Sequence, residues 1–112
     1  MRSADLSVIA LGGTEAQPGA KGRLLYDKAK QRWLLSMTNL AQPVAGRCYE
    51  LWFITRDGRK IGSQTFTPSA DGVAEIMVDV PAGLDVTVAA ITDEPIGGVA
   101  VPTGQIHLVG TL

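Results

Sequence analysis

The sequence predicts an all-β domain, an antiparallel β-sandwich of Greek-key type built from about eight short strands. Two observations lead there. No segment keeps apolar residues at a 3.6-residue period, so no amphipathic helix is indicated. What recurs instead is a short β-branched or aromatic run closed by Gly, Pro, Asp or Asn, with 13 glycines and 6 prolines supplying the punctuation.

The first run is "LSVIAL" (residues 6–11), closed by Gly12 and Gly13, and "EAQPGAKG" follows as a loop. "RLLYD" and "RWLLSMTNL" flank "KAKQ" as a hairpin, which sets Trp33, Leu35 and Met37 on one face. A connection containing Pro43 and Gly46 leads to "RCYELWFIT", apolar on both faces: Tyr49, Leu51 and Phe53 on one, Cys48, Trp52 and Ile54 on the other. A strand of that kind is covered on both sides and is expected mid-sheet. "RDGRK" reads as a hairpin turn with Asp57-Gly58 in a primed geometry, returning along "IGSQTFT". After "SADG", "VAEIMVDV" turns Ile76, Val78 and Val80 inward and Glu75 and Asp79 outward. "PAGLD" leads to "VTVAAIT", where Val86, Val88 and Ala90 alternate with Thr87 and Ala89. "QIHLVGTL" closes the chain, with Ile106 and Leu108 expected inward and His107 outward.

Between the last two strands lies "TDEPIGGVAVPTG" (residues 92–104), with two acids, two prolines and three glycines. Pro95 extends the residue before it, Gly97-Gly98 permit a reversal, and "VPTG" fits a type I turn. The stretch therefore reads as two turns joined by "VAV". It is no phosphate loop, because the closing Lys-Ser/Thr is missing and the preceding acids repel an anion.

The 112 residues fit one domain over 1–112, with residues 1–5 as a lead-in, and suffice for an apolar core without staples. Ten basic and 11 acidic residues give a net charge of −1, against a nucleic-acid or polybasic membrane-surface role. The cluster Lys28, Lys30, Arg32 reads as a solvated turn. No apolar run approaches the roughly 20 residues that span a bilayer. One cysteine, Cys48, precludes an intrachain disulfide, and with His107 it completes the Cys and His inventory, too small for a structural zinc site. No metal, cofactor or catalytic residue is expected. Asp93 and Glu94 lack the spaced oxygen ladder of a calcium loop, and a Cys48/His107 dyad would need both on one face of neighbouring strands. Trp52, Asp93 and Glu94 remain as candidate contact residues, with Trp52 also fitting the core.

"YELWFI" (residues 49–54) and "TDEPIGGVAVPTGQIHLVGTL" (residues 92–112) together resemble the carboxy-terminal domain of the anti-sigma-K factor family, with lesser agreement in "LGGTEAQPGAKGRLLYD" and "GSQTFTPSADG". The resemblance covers nearly the whole chain, from about Asp5 onward. It implies the outer, non-enzymatic regulatory part of a membrane-anchored bacterial protein. In that family a separate cytoplasmic part sequesters an extracytoplasmic-function sigma factor, and a membrane protease releases it. The zinc-type His-x-x-x-Cys-x-x-Cys segment and the hydrophobic span of those other parts do not occur in this sequence. On that implication Met1 opens an outer domain cut from a longer protein, lying outside the cytoplasmic membrane. The family's motifs carry over no catalytic or ligand residue. The competing expectation is a β-sandwich of the cell envelope that binds a small ligand or a protein.

Overall fold

The computed structural model describes residues 5–112, so the expected lead-in lies outside the described residues except for Asp5. Eight strands follow one another: β1 (Leu6–Gly13), β2 (Lys21–Asp27), β3 (Arg32–Thr38), β4 (Arg47–Thr55), β5 (Lys60–Phe66), β6 (Ala74–Asp79), β7 (Val86–Pro95) and β8 (Ile106–Thr111). All neighbours are antiparallel, in the order β5-β4-β7-β8-β1-β2-β3-β6. The all-β class holds. The two separate sheets of a sandwich are replaced by one sheet that curls until its edge strands β5 and β6 approach each other, giving a nearly closed, flattened barrel of 41 × 28 × 22 Å.

The join that makes one sheet out of two halves is short. β1 meets β8 only through Gly12↔Val109 and Gly13↔Leu108, extended by the Thr14 N–H to the His107 carbonyl. Right-handed strand twist and three irregularities add the curl. They fall between Leu51 and Trp52 against β5, between Ile54 and Thr55 against β7, and between Ile91 and Thr92 against β8. A period of two gives each strand's faces, but not whether two halves share a ladder.

Inside the barrel Trp33, Leu35 and Met37 meet Tyr49, Leu51 and Phe53, with Leu24, Ile91 and Leu108 completing the centre. Trp33 and Phe53 pack edge to face at 4.8 Å, a geometry worth about 1 kcal/mol beyond area burial. Ile76, Val78 and Val80 are buried and Glu75 and Asp79 exposed, as the alternation of β6 requires. On β7 the core face is Ala89 and Ile91, and the bulge opposite Ile54/Thr55 lets Val86 pack there too.

Three local expectations change. β4 is second from an edge, and its outer face is covered by a loop rather than by a further layer of sheet. Of Asp57 and Gly58 only Gly58 has positive φ (+87°), and its N–H bonds the Thr55 carbonyl. The hairpin thus closes with a type I turn and a left-handed glycine in place of a primed turn. In β8 the bulge opposite Ile91/Thr92 reverses the expected facing: Leu108 stays inward, Ile106 turns out to 41% exposure, and His107 turns in against Tyr49.

Candidate functional site

The outer face of β4 presents Cys48, Glu50 and Trp52, and β7 beside it presents Ala90, Thr92 and Glu94. All six are buried, although they face away from the barrel core. What buries them is the segment 96–105, folded back over the sheet. An acid on such a face must find hydrogen-bond donors or it would not remain buried as an anion. The loop supplies them from its backbone.

Glu94, fully buried, accepts the Thr103 N–H (3.1 Å), the Thr103 hydroxyl (2.7 Å), the Gly104 N–H (3.2 Å) and the Thr92 hydroxyl. Thr92 Oγ1 in turn accepts the Trp52 indole N–H at 2.8 Å. Every group facing the carboxylate is a donor, so it is held as an anion. Burial pushes its carboxyl up, and the bonds from Thr103, Thr92 and Gly104 outweigh that and lower it. Glu50 accepts the Val99 N–H at 3.0 Å. Asp93, on the other face, accepts Gln105 N–H (3.0 Å), Arg47 Nη2 (2.7 Å) and His107 Nε2 (2.8 Å). Burial would raise the Asp93 carboxyl as well, but His107, Arg47 and the Gln105 amide bring it down to about 2.

Three carboxylates thus pin one loop at Val99, Thr103, Gly104 and Gln105. Two glycines make that possible. Gly98 has φ +78°, and an added Cβ would lie 2.9 Å from Thr65 and 3.1 Å from Glu50. At Gly104 a Cβ would sit 1.7 Å from the Asp93 carbonyl oxygen, so only glycine fits. Thr92 to Pro95 continue β7 and form no turn. "VPTG" is no hydrogen-bonded turn either, since the Gly104 N–H goes to Glu94. The expected double turn is one turn at Gly97 followed by a strap tied to side chains.

The same acids reach the barrel end. Gln17 fixes its amide by accepting the Ala41 N–H at 2.8 Å, so its Nε2 donates to Tyr49 Oη (2.7 Å) and His107 Nδ1 (2.9 Å). With Nδ1 accepting, His107 carries its hydrogen on Nε2 and donates it to Asp93. Burial raises the Tyr49 hydroxyl, while its bond from Gln17 opposes the change. Both ring nitrogens of His107 are occupied, and its ring packs on Tyr49 at 5.4 Å. Cys48, next to Tyr49 in β4, points to the opposite face toward the Pro95 carbonyl. The two halves of a Cys48/His107 dyad are therefore separated by the sheet. Among the described residues no group of His, Cys, Asp and Glu could hold a metal ion.

Of the candidate residues, Asp93, Glu94 and Trp52 come together around one loop, where all three are engaged within the chain. Glu50, Arg47, Thr103 and Gln17 were missed. For Glu50 a signal existed: it stands between Cys48 and Trp52 on an otherwise apolar face, and a glycine-rich loop elsewhere offers free amides. What the pinned loop offers outward is apolar, with Ile96 and Val101 each 70% exposed. Beneath it, Trp52, Ile54, Pro102 and Ile106 line a depression of about 190 Å³, smaller than ordinary ligand sites. A more open groove of about 530 Å³ runs between the loop and edge strand β5, past Glu50, Lys60 and Gln64.

Comparison with known proteins agrees with this arrangement of motifs. Residues 3–106 match the family model described as "Anti-sigma-K factor rskA, C-terminal". A Streptomyces griseus protein described as "Uncharacterized protein in phr 5'region" is 29% identical over 95 residues, which cover 82% of this chain and 37% of that protein. The chain therefore spans just over a third of the length of that relative. No solved structure matches it. With the family model matched over nearly its whole length, the chain belongs to the carboxy-terminal domain family of anti-sigma-K factors.

Proposed function

We propose that this chain is the extracytoplasmic regulatory domain of a membrane-anchored anti-sigma factor. It governs when a membrane protease cuts the anchor and so frees an extracytoplasmic-function sigma factor held by another part of the protein. The observation that carries this reading is the family match over residues 3–106. The relative, whose length is only 37% covered, leaves room for cytoplasmic and membrane-spanning parts elsewhere in such a protein.

Within this reading Asp93 and Glu94 work by positioning. They hold the strap so that Ile96 and Val101 stand out from the surface as a preorganised apolar contact, with Trp52 as the floor beneath. Preorganisation suits a regulatory contact, because a loop already fixed loses little entropy when it meets its target.

The test uses the full-length protein in cells carrying a sigma-dependent reporter. Removing residues 5–112 is expected to uncouple reporter output from the inducing signal. Changing Ile96 and Val101 together to Asp is expected to alter signal-dependent release while the folded domain persists. Unchanged repression and unchanged induced release after removal of the domain would sink the proposal.

A further inference from the structure

Away from the strap, the outer face of β1, β2, β3 and β6 carries a feature that the regulatory reading does not use. In cross-strand register Val8 stands opposite Leu25, Leu25 opposite Leu34, and Leu34 opposite Met77. These four apolar side chains form one unbroken row around the outside of the barrel. Their strand neighbours Leu24, Leu35 and Ile76 are the ones that point into the core. Val8 is 65%, Met77 58% and Leu34 37% exposed. Single exposed apolar residues are ordinary on a surface, but a contiguous row with a charged margin marks an interface.

The rows on either side are charged with both signs. On one side Asp27 faces Arg32, and Arg32 faces Asp79 with an ion pair at 3.2 Å. On the other, Arg23 faces Ser36, and Ser36 faces Glu75. A lipid surface of one charge is not complemented by this mixture. A second copy of the same face complements it where Asp27 and Arg32 lie side by side, and sets the β1 margin residues Leu6 and Ala10 against Asp79 and Glu75 without a like-charge contact.

We infer that this face joins two copies of the chain in a symmetric dimer, stacked about a twofold axis that runs parallel to the strands between β2 and β3. That axis lays Leu25 on Leu34 of the second copy and Val8 on Met77 of the second copy, so the row matches itself. In the margin it lays Asp27 on Arg32 of the second copy, and the symmetry repeats that pair. The four adjacent strands β1, β2, β3 and β6 that carry the row give a second sheet a surface to stack on.

The other route to self-association is guarded. The Val80 N–H bonds the Gln31 carbonyl. By alternation the backbone groups of Glu75, Met77 and Asp79 therefore face away from β3, at a free edge. Pairing that edge with itself about Met77 would set Glu75 directly against Asp79 of the second copy, on both sides of the centre. Like charges opposite one another oppose such pairing. A twofold contact occupies this face in both copies, so association through the face stops at two. This inference stands apart from the regulatory reading and survives its failure.

The test is sedimentation equilibrium of the chain from about 5 to about 500 μM, the range for an interface at the small end of specific contacts. A monomer–dimer equilibrium is expected within that range. Val8→Lys and Met77→Lys, at the two most exposed positions of the row, are each expected to weaken dimerisation at least about tenfold, with an unchanged melting temperature at concentrations where the chain is monomeric. Asp27→Arg and Arg32→Asp are each expected to weaken it; because Asp27 also faces Arg32 within one chain, the melting temperature of the dilute monomer is read beside the dimerisation constant, and loss of dimer at unchanged monomer stability is the expected result. NMR shifts of the unaltered chain on dilution should concentrate at Val8, Leu25, Leu34 and Met77, a reading independent of any variant's folding. A chain monomeric throughout, or a dimer indifferent to Met77→Lys, would overturn the inference. So would a monomer that binds phosphatidylglycerol vesicles through Val8 and Met77.

Discussion

Replacing Glu94 by Gln tests the strap at its anchor while changing almost no volume. The carboxylate is fully buried and accepts from Thr92 Oγ1, Thr103 N, Thr103 Oγ1 and Gly104 N. The amide keeps one oxygen. Its least costly setting places that oxygen at the Oε2 position, retaining Thr92, Gly104 and the Thr103 N–H at 3.2 Å, and turns its NH₂ toward the Thr103 hydroxyl, which must reverse to accept it. Three bonds then lose the assistance of a full charge, at about 1 kcal/mol each, so the loss is about 3 kcal/mol. For a domain of this size that lowers Tm by roughly 12 °C at about 4 °C per kcal/mol. Calorimetry reads the whole loss, and amide hydrogen exchange locates it: Thr103 and Gly104 should lose protection before the Leu35 and Leu51 amides do. A destabilisation below about 0.5 kcal/mol, the scale of ordinary surface changes, with Thr103 and Gly104 still protected, would refute the assignment of Glu94 as the anchor.

Further outcomes follow from single residues. Gly104→Ala drives a Cβ to 1.7 Å from the Asp93 carbonyl and should cost about 3 kcal/mol or more in urea unfolding, whereas Gly12→Ala, with open space around it, should change stability by less than about 0.5 kcal/mol. Trp33 and Trp52 are both fully buried, but among the described residues Trp33 Nε1 has no hydrogen-bond partner, whereas Trp52 Nε1 donates to Thr92. Trp52→Phe should therefore destabilise by about 1 kcal/mol more than Trp33→Phe, and equal losses would count against the Trp52–Thr92–Glu94 relay. Asp93 has a folded pKa of about 2, below its ordinary 3.8. Its contribution is therefore present above pH 3.8 and fades as the pH falls toward 2. With the side chain 27% exposed and partly screened, that contribution is about 1 kcal/mol. The stability gap between the chain and Asp93→Asn should narrow by this amount as the pH falls from 5 to 2, and a gap that does not change with pH would remove Asp93 from the network.

The strands were legible where a side chain's facing alone decides its fate. Trp33, Leu35 and Met37 share one face, and so do Ile76, Val78 and Val80, because each set lies at a spacing of two in a regular ladder; Leu34 and Met77, apolar on the opposite face, show that facing and not hydropathy alone decides burial. Where a bulge adds a residue, alternation fails without any sign in the composition. Ile106 and His107 exchange faces because Thr92 pairs with Ile106 while Ile91 pairs with Leu108. The closure of one sheet rests on two glycine pairings of β1 with β8 and was invisible for a similar reason, since glycine carries no facing signal. The double-sided burial of β4 was read correctly, but as a place in the middle of the sheet; β4 lies second from an edge under a strap, because burial in the sequence does not say what does the burying.

The strap also explains how a stretch rich in acids and glycines can mark a family through its fold, with its carboxylates bonded within the chain. Acids beside glycines invite a ligand reading, since both are common where backbone amides and carboxylates meet a bound group. In this chain the carboxylates and the amides satisfy one another. Glu94 takes Thr103 and Gly104, Glu50 takes Val99, and Asp93 takes Gln105. A carboxylate already surrounded by amide donors has no free lone pair to spend on a cation without releasing the loop. The spacing from Glu94 to Gly104 is the distance the strap needs to return to its own strand; Gly98 and Gly104 stand where a Cβ would strike Glu50 or Asp93, and Gly97 supplies the positive φ of the turn. The surface that the motif leaves for contact is therefore set by the residues it does not constrain, Ile96 and Val101. Changes there should separate binding from folding, whereas changes at Asp93 or Glu94 must confound the two.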